Sequence, residues 1–385
     1  MLHCKFIIII KEIDNMKKLL AVILCCVFAL SFTACANNKA GTSDTTKITA
    51  TTETAETTAP TEVAKLNITD EKIAKIEDKL DDINGIVYIT HGGELIYSHC
   101  NGKDECGNEL TVDTPMYVGS LSKQFCATAI MILKEQGKLS VDDTLEKYFP
   151  EFKNGKDVTI KNLLTMRSGI SDMVEESEGF LNDKTDSENA AIILEWILNQ
   201  TLTFEPDSTY EYSNTNYFLL SQIVEKVSGQ PYNDFVRENI FEPLKMNQSG
   251  FVTEVKDNDF FSNSLTYDTF YYNDEHLAFG AGDIVTTAPD IDKWMTGLQS
   301  SKVITDESYR EMIEDYSPDT GLHYGYGIQG MYKKGKGHTG HIGDYYAIDY
   351  FSEDYDCNIY AVNRGEENNK MMQIPDIVME ILLDN

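Results

Sequence analysis

The stretch "MYVGSLSKQFCATAIMIL", residues 116–133, decides the reading of this chain. After Leu121 nearly every position is apolar: Phe125, Cys126, Ala127, Ala129, Ile130, Met131, Ile132 and Leu133. A segment apolar all the way round predicts a helix buried on every side. Ser120 and Lys123 stand at its mouth, three positions apart, and so on one helical face. Lysine is almost never fully buried without a partner. Either Lys123 sits at an exposed helix end, or something needs it there. A serine hydroxyl attacks only when a base takes its proton. Lysine is a base only when neutral, and at its ordinary pKa only about one in a thousand is neutral near pH 7. Burial lowers a lysine pKa, so the apolar helix supplies part of what catalysis needs. The N–H groups and partial positive charge of a helix N-terminus also suit an oxyanion. No other serine in the chain has lysine at i+3.

The rest of the chain sets bounds on this reading. With 385 residues, 42% of them hydrophobic, it holds one large or two smaller globular domains. The 63 acidic against 32 basic residues give a formal charge of −31. That balance excludes nucleic acid as a partner, since phosphate needs clustered Lys and Arg. It also argues against charge-driven binding to an anionic lipid surface. "MKKLLAVILCCVFALSFTAC" starts at Met16 with two lysines, followed by an apolar run from Leu19 to Phe32. The run is short for a spanning helix, and Phe32-Thr33-Ala34-Cys35 resembles a bacterial lipobox, with Phe in place of the usual Leu. The expectation is a lipoprotein signal region over 1–35, translation starting at Met16, and a lipidated Cys35 that anchors the chain outside the cytoplasm. Residues 36–64 are Thr, Ala and Glu with few large apolar groups, a tether too polar to fold. The folded domain is then 65–385, large enough for a sizeable core.

Four cysteines lie beyond the leader: Cys100, Cys106, Cys126 and Cys357. Cys100 and Cys106 bracket a short polar loop and either pair or stay free. Cys126 reads as a small buried hydrophobe, and no CxxC pair points to zinc. Along the domain, "TDEKIAKIEDKLDDING" predicts a helix capped by Thr69 or Asp70 and stopped by Gly85. "GIVYITHGGELIYSHCNG" predicts a hairpin about His91-Gly92-Gly93. Helical patterns fill the middle, among them residues 186–200, "NTNYFLLSQIVEKVSG" and "PDIDKWMTGLQS". "YAIDYFSE" and "CNIYAVNR" read as paired strands and "MMQIPDIVMEILLDN" as a closing helix. Strands thus cluster at both ends of the domain. One sheet built from both ends, covered by terminal helices, with an all-helical subdomain inserted, is the economical α/β (α+β type) solution.

Two further motifs join the first. "TYEYSNTNYFLL" carries Tyr212-Ser213-Asn214 ahead of a helix. A phenol there is placed to relay protons with the lysine, and the Asn214 amide to hydrogen-bond a substrate carbonyl and steady Lys123. Tyr271-Tyr272-Asn273 matches the same pattern. In "KKGKGHTGHIGDYYAIDYF", His338, Thr339 and Gly340 lead into a strand, where a glycine lets a substrate backbone approach. The N–H groups of Ser120 and His341 are candidate oxyanion donors. Lys333, Lys334, Lys336 and His338 either attract a substrate carboxylate or form a solvated turn. His338, His341 and Asp344 lack a metal-ligand pattern, so neither a metal nor a cofactor is expected.

In this order the three motifs resemble those of the penicillin-recognising serine hydrolases, above all the class C β-lactamase-like family with its D-alanyl-D-alanine carboxypeptidases and esterases. "VTIKNLLTMRSGI", "FEPDSTYEYSNTNYFLL" and "AGDIVTTAPDIDKWM" extend the resemblance over most of 85–365, and Tyr212, not Tyr271, sits in a matching block. The resemblance implies a β-lactamase/transpeptidase-like fold, an antiparallel sheet with a helical domain and the site between them. It implies an acyl-enzyme on Ser120, with Lys123 and Tyr212 as the proton-transfer pair, and Asn214, His338, Thr339, Gly340 and His341 binding substrate. Asp207 stands where a turn glycine is common, "MRSG" replaces "HTSG", and Tyr345-Tyr346 replace Gly-Phe beside the third motif. The expected substrate is a small molecule or a peptidoglycan peptide: a D-alanyl peptide or a β-lactam. The alternatives are an esterase, a D-amino-acid peptidase, or a non-catalytic sensor lipoprotein.

Overall fold

Helix α1 (Asp70–Leu80) begins after Thr69, whose hydroxyl accepts the Lys72 amide hydrogen at 3.3 Å and so satisfies one N–H that the first turn leaves open. The computed structural model describes residues 66–176, 186–266, 279–365 and 369–384, all in the compact unit Pro60–Asn385. The expected signal region, Cys35 and the tether over 36–64 lie outside the described residues. Helix α1 stops at Leu80 and does not run on to Gly85, which is the first residue of β1 (Gly85–His91). A Cβ at Gly85 would fall 2.3 Å from the Val362 carbonyl oxygen, so the glycine serves strand approach. The hairpin partner is β2 (Glu94–Asn101). Gly92 and Gly93 between them take φ of +61° and +77°, the turn whose twist matches that of the flanking strands.

The middle of the chain begins with β3 (Met116–Tyr117), a 3₁₀ turn over Gly119–Leu121, and α2 (Ser122–Glu135). Helices α3 (Asp186–Leu198) and α4 (Asn214–Ser228) follow. Gly229 ends α4 in the left-handed conformation, the usual geometry of a glycine cap. Then come β4 (Gly250–Phe251), β5 (Ile284–Thr286), α5 (Ala288–Gln299) and α6 (Asp306–Met312). The chain closes with β6 (Gln329–Gly330), β7 (Lys336–Ile342), β8 (Tyr345–Ser352), β9 (Cys357–Arg364) and α7 (Ile374–Leu383).

The main sheet has the order β2-β1-β9-β8-β7-β6 and is antiparallel throughout. Strands from the two chain ends therefore meet at its centre, where Ile86 opposes Val362. Side chains alternate across it, as the period of two requires. Val87, Ile89, Ile348, Ile359 and Ala361 pack with Leu80, Val378 and Leu382 of α1 and α7. Ile86, Ala347, Phe351, Tyr360 and Val362 face the large core that holds α2, α4 and α5. Within that core Phe125 stacks on Trp294 at 4.0 Å. A second small sheet, β3-β5-β4, sits beside the 3₁₀ turn. The expected architecture is present: an antiparallel sheet flanked by helices, with the helical part inserted. Cys100 and Cys106 are not joined; both thiols are free.

Candidate active site

Two glycines bring β7 against the turn that carries Ser120. Gly119 has φ +53°, and a Cβ on it would lie 2.8 Å from the His341 nitrogen. A Cβ on Gly340 would lie 2.0 Å from the Val118 carbonyl oxygen. The missing side chain of Gly340 makes room for the protein's own turn after β3, and Gly340 also lines the cleft in front of Ser120. Ser122 fixes the turn from below, donating to the Gly119 carbonyl at 2.7 Å and accepting the Ile284 amide hydrogen at 3.0 Å. Ser120 thus lies on the 3₁₀ turn just ahead of α2, not within the α-helix.

Lys123 is wholly buried. Its Nζ lies 3.0 Å from Ser120 Oγ, 2.8 Å from Asn214 Oδ1 and 2.7 Å from the Ala281 carbonyl oxygen. Asn214 Nδ2 donates to Asp172 Oδ2 at 2.9 Å. A carboxylate only accepts, so this bond fixes the amide with its oxygen toward Lys123. Burial lowers the Lys123 pKa to about 7, against the opposing pull of Asp172 and Asp283. A neutral amine has two hydrogens and one lone pair. Asn214 Oδ1 and the Ala281 carbonyl can only accept, so they take the hydrogens and the lone pair is left for the Ser120 hydroxyl. Tyr212 OH, 2.8 Å from Ser120 Oγ, supplies that oxygen with a donor. Burial pushes the Tyr212 phenol well above its ordinary value, so it stays protonated, and of the two Lys123 is the group placed to accept a proton. Asn214 takes the steadying role, and it is the first residue of α4 rather than part of the preceding loop.

On β7 the amides facing β8 alternate with those facing away. The His338 N–H faces β8, where it donates to Asp349 Oδ1 at 2.6 Å. The His341 N–H, three residues on, therefore faces the opposite side, toward the Ser120 turn that Gly119 lets approach. Ser120, Tyr212, His338, Thr339, His341 and Tyr346 border a cleft of about 470 Å³. His338 is buried and held neutral, its pKa lowered to about 3 by desolvation and then by Lys123; it is not the positive group that the sequence allowed. Lys336 is committed to the Ile313 carbonyl at 3.3 Å. Of the two tyrosines expected at the wall, Tyr346 stacks on His341 at 4.4 Å. Tyr345 turns inward instead, with its hydroxyl 2.8 Å from Glu105 Oε1. Asp207 takes φ +65°, the conformation that explains a glycine at that place; Asn162 Nδ2 holds its carboxylate at 2.8 Å. Tyr271 and Asn273 lie outside the described residues.

Sequence reasoning missed the supports. Gln124 donates to both Asp349 oxygens, at 3.0 and 2.8 Å, and accepts from Trp294 Nε1 at 3.2 Å. This buried link ties α2 and α5 to β8 and, through the His338 amide on Asp349, to β7. Its signals were one amide in an apolar helix and one carboxylate in the apolar strand "YAIDYF". Asp172, Ala281 and Tyr324 gave no comparable signal. Among the described residues no three His, Cys, Asp or Glu side chains converge as a metal site.

A serine between a lysine of lowered pKa and a protonated tyrosine, beside a strand amide, is the arrangement of a serine hydrolase acting on amides or esters. The chain belongs to the Beta-lactamase family, whose model matches residues 73–362. PbpX of Bacillus subtilis (strain 168), a penicillin-binding protein by name, is 28% identical over 328 residues, 82% of this chain and 79% of the relative. Teichoic acid D-alanine hydrolase of Staphylococcus aureus (strain MRSA252) is 24% identical over 332 residues, 83% and 80% of the two chains. The crystal structure of D-amino acid amidase from Ochrobactrum anthropi with L-phenylalanine amide has a TM-score of 0.67 at 23% identity, over 81% of this chain and 99% of that one. At that identity it speaks for the fold.

Proposed function

We propose that Ser120 takes an acyl group from a D-alanyl amide or ester and passes it to water. The observation that carries this is the Lys123 amine, whose hydrogens are claimed by two acceptors and whose lone pair is left for the Ser120 hydroxyl. Ser120 Oγ bonds to the substrate carbonyl carbon as its proton moves to Lys123. The oxyanion sits between the N–H groups of Ser120 and His341. The bond to the leaving atom then breaks as Tyr212 gives it a proton, and the Lys123 ammonium restores the Tyr212 proton by way of the Ser120 oxygen region. Water repeats the steps in reverse order and frees the acid. One relative carries D-alanine in its name, which supports the D-configured acyl group; another is named as a penicillin-binding protein, which supports a β-lactam as a second, slower acylating agent.

The test is intact-protein mass spectrometry with a p-nitrophenyl ester, and with a fluorescent penicillin as the slower, carboxylate-bearing label. A stoichiometric adduct on Ser120, absent from Ser120→Ala, is expected; equal labelling of both proteins would remove the acyl-enzyme. We also propose that the enzyme works outside the cytoplasm, tethered through a lipidated Cys35 by residues 36–64, on the support of the lipobox-like Phe32-Thr33-Ala34-Cys35. Cys35→Ser is then expected to move the protein from the detergent phase to the aqueous phase in a detergent partition of expressing cells. Unchanged partition counts against the anchor.

A further inference from the structure

We propose that the cleft selects acyl donors whose leaving side is uncharged, an ester or an amide, over donors that end in a free carboxylate. This rests on the acyl-transfer reading above and narrows its substrate. A leaving group departs toward the acid that protonates it, here Tyr212, so whatever stands beside Tyr212 meets the leaving side. That neighbour is His338, its ring centroid 6.2 Å from that of Tyr212.

Both polar atoms of the His338 ring are already committed. Nδ1 lies 2.5 Å from the Thr339 carbonyl oxygen, and since a carbonyl only accepts, Nδ1 carries the hydrogen. Nε2 is then the lone-pair nitrogen, and the Tyr324 hydroxyl, 3.2 Å away, donates to it. Tyr324 is itself wholly buried and packs edge-on against Tyr212 and His338. The imidazole is locked in one neutral tautomer with no donor left for a ligand. Among the described residues that border the cleft none is a lysine or an arginine. Of the lysines in the preceding turn, Lys336 is directed to the Ile313 carbonyl, Lys333 lies over the Tyr332 ring at 5.2 Å, and Lys334 is not among the residues that border the cleft. Lys123, beneath Ser120, has its three partners. A carboxylate brought to the His338 side would give up part of its water and meet no counter-charge among the described residues, which disfavours it. The net charge of −31 adds long-range repulsion of anions. An ester or amide brings only neutral groups to the same place.

The experiment uses the purified protein and pairs of donors that differ only at the terminus: N-acetyl-D-alanyl-D-alanine against its C-terminal amide and its methyl ester. The burst of p-nitrophenol from a p-nitrophenyl ester, absent in Ser120→Ala, is read in parallel and reports acyl transfer by itself. The amide and ester are expected to exceed the free acid in kcat/KM by about tenfold or more, the scale of an unpaired buried polar group. The preference is expected to survive about 1 M salt, where long-range repulsion is screened. His338→Lys is expected to shift the ratio toward the free acid. A burst together with a ratio of one, or a preference for the acid, overturns this proposal alone. A ratio that collapses to one in high salt also overturns it, because net charge rather than the cleft would then discriminate. Absence of the burst removes acyl transfer and this proposal together. The wild-type ratio decides whether or not the lysine variant folds.

Discussion

Lys123 has three hydrogen-bond partners and, when neutral, two hydrogens. Its pKa near 7 gives a sign to the pH dependence. Protonated, it cannot take the Ser120 proton, so kcat/KM for an uncharged ester is expected to rise with pH and level off above about 7. A flat profile between acid and alkaline pH would show that another group is the base. Lys123→Arg is the sharper variant. Arginine keeps the charge at every accessible pH, so the loss should match that of Lys123→Ala, about 10²–10⁴-fold in acylation rate. Rates restored in the arginine variant would assign the lysine to simple electrostatics. The sequence revealed Ser120 and Lys123 because their partnership is local, three residues apart on one turn. Tyr212, Asn214 and His338 became legible through the order of the motifs. The Ala281 carbonyl could not be seen at all, because every residue has a carbonyl and only the fold aims it.

At the scale of elements, the site depends on how closely β7 passes the Ser120 turn. Gly340→Ala would set a methyl 2.0 Å from the Val118 oxygen, and either the strand or the turn must retreat. A loss of about 1–3 kcal/mol, typical of overpacking, is expected in urea denaturation. Activity should fall further than stability, because Val118 is two residues from Ser120. A variant with wild-type stability would mean that the turn yields without cost. The long strands and helices were legible from their periodicity: β1 and β2 about Gly92-Gly93, β8 and β9 as alternating runs, α4 ending at Gly229. The two-residue strands β3, β4 and β6 were not, since two residues carry no period. Helix α1 ended before Gly85 because that glycine was needed where β1 approaches Val362, a tertiary demand that local stop signals do not record.

Across the whole molecule, one buried carboxyl group links stability to pH. Asp349 is wholly buried, and desolvation raises its pKa to about 7 despite the hydrogen bonds from Gln124 and the His338 amide. The folded protein therefore holds a proton that the unfolded chain gives up near its ordinary carboxyl pKa. That contribution to stability is full below about pH 4 and is lost as the pH rises through about 7. Asp349→Asn keeps the acceptor for His338 N–H and cannot ionise. The fall in urea midpoint from pH 5 to pH 8 is expected to be larger in wild type than in this variant, by an amount equivalent to about 2 kcal/mol or more. Parallel pH curves would place the titration elsewhere.

The pairing of β1 with β9 also governs the order in which this chain can fold. Ile86 finds Val362 only after almost everything between them has been synthesised, and closing so long a loop precedes any gain from the contact. Until then the β1 edge of the hairpin, which β9 later covers, stays open to the wrong partner. The arrival of β9, rather than emergence of the catalytic turn, is the moment at which this sheet first becomes possible. A chain cut short before Cys357 should stay sensitive to protease however many of its reactive residues it already contains.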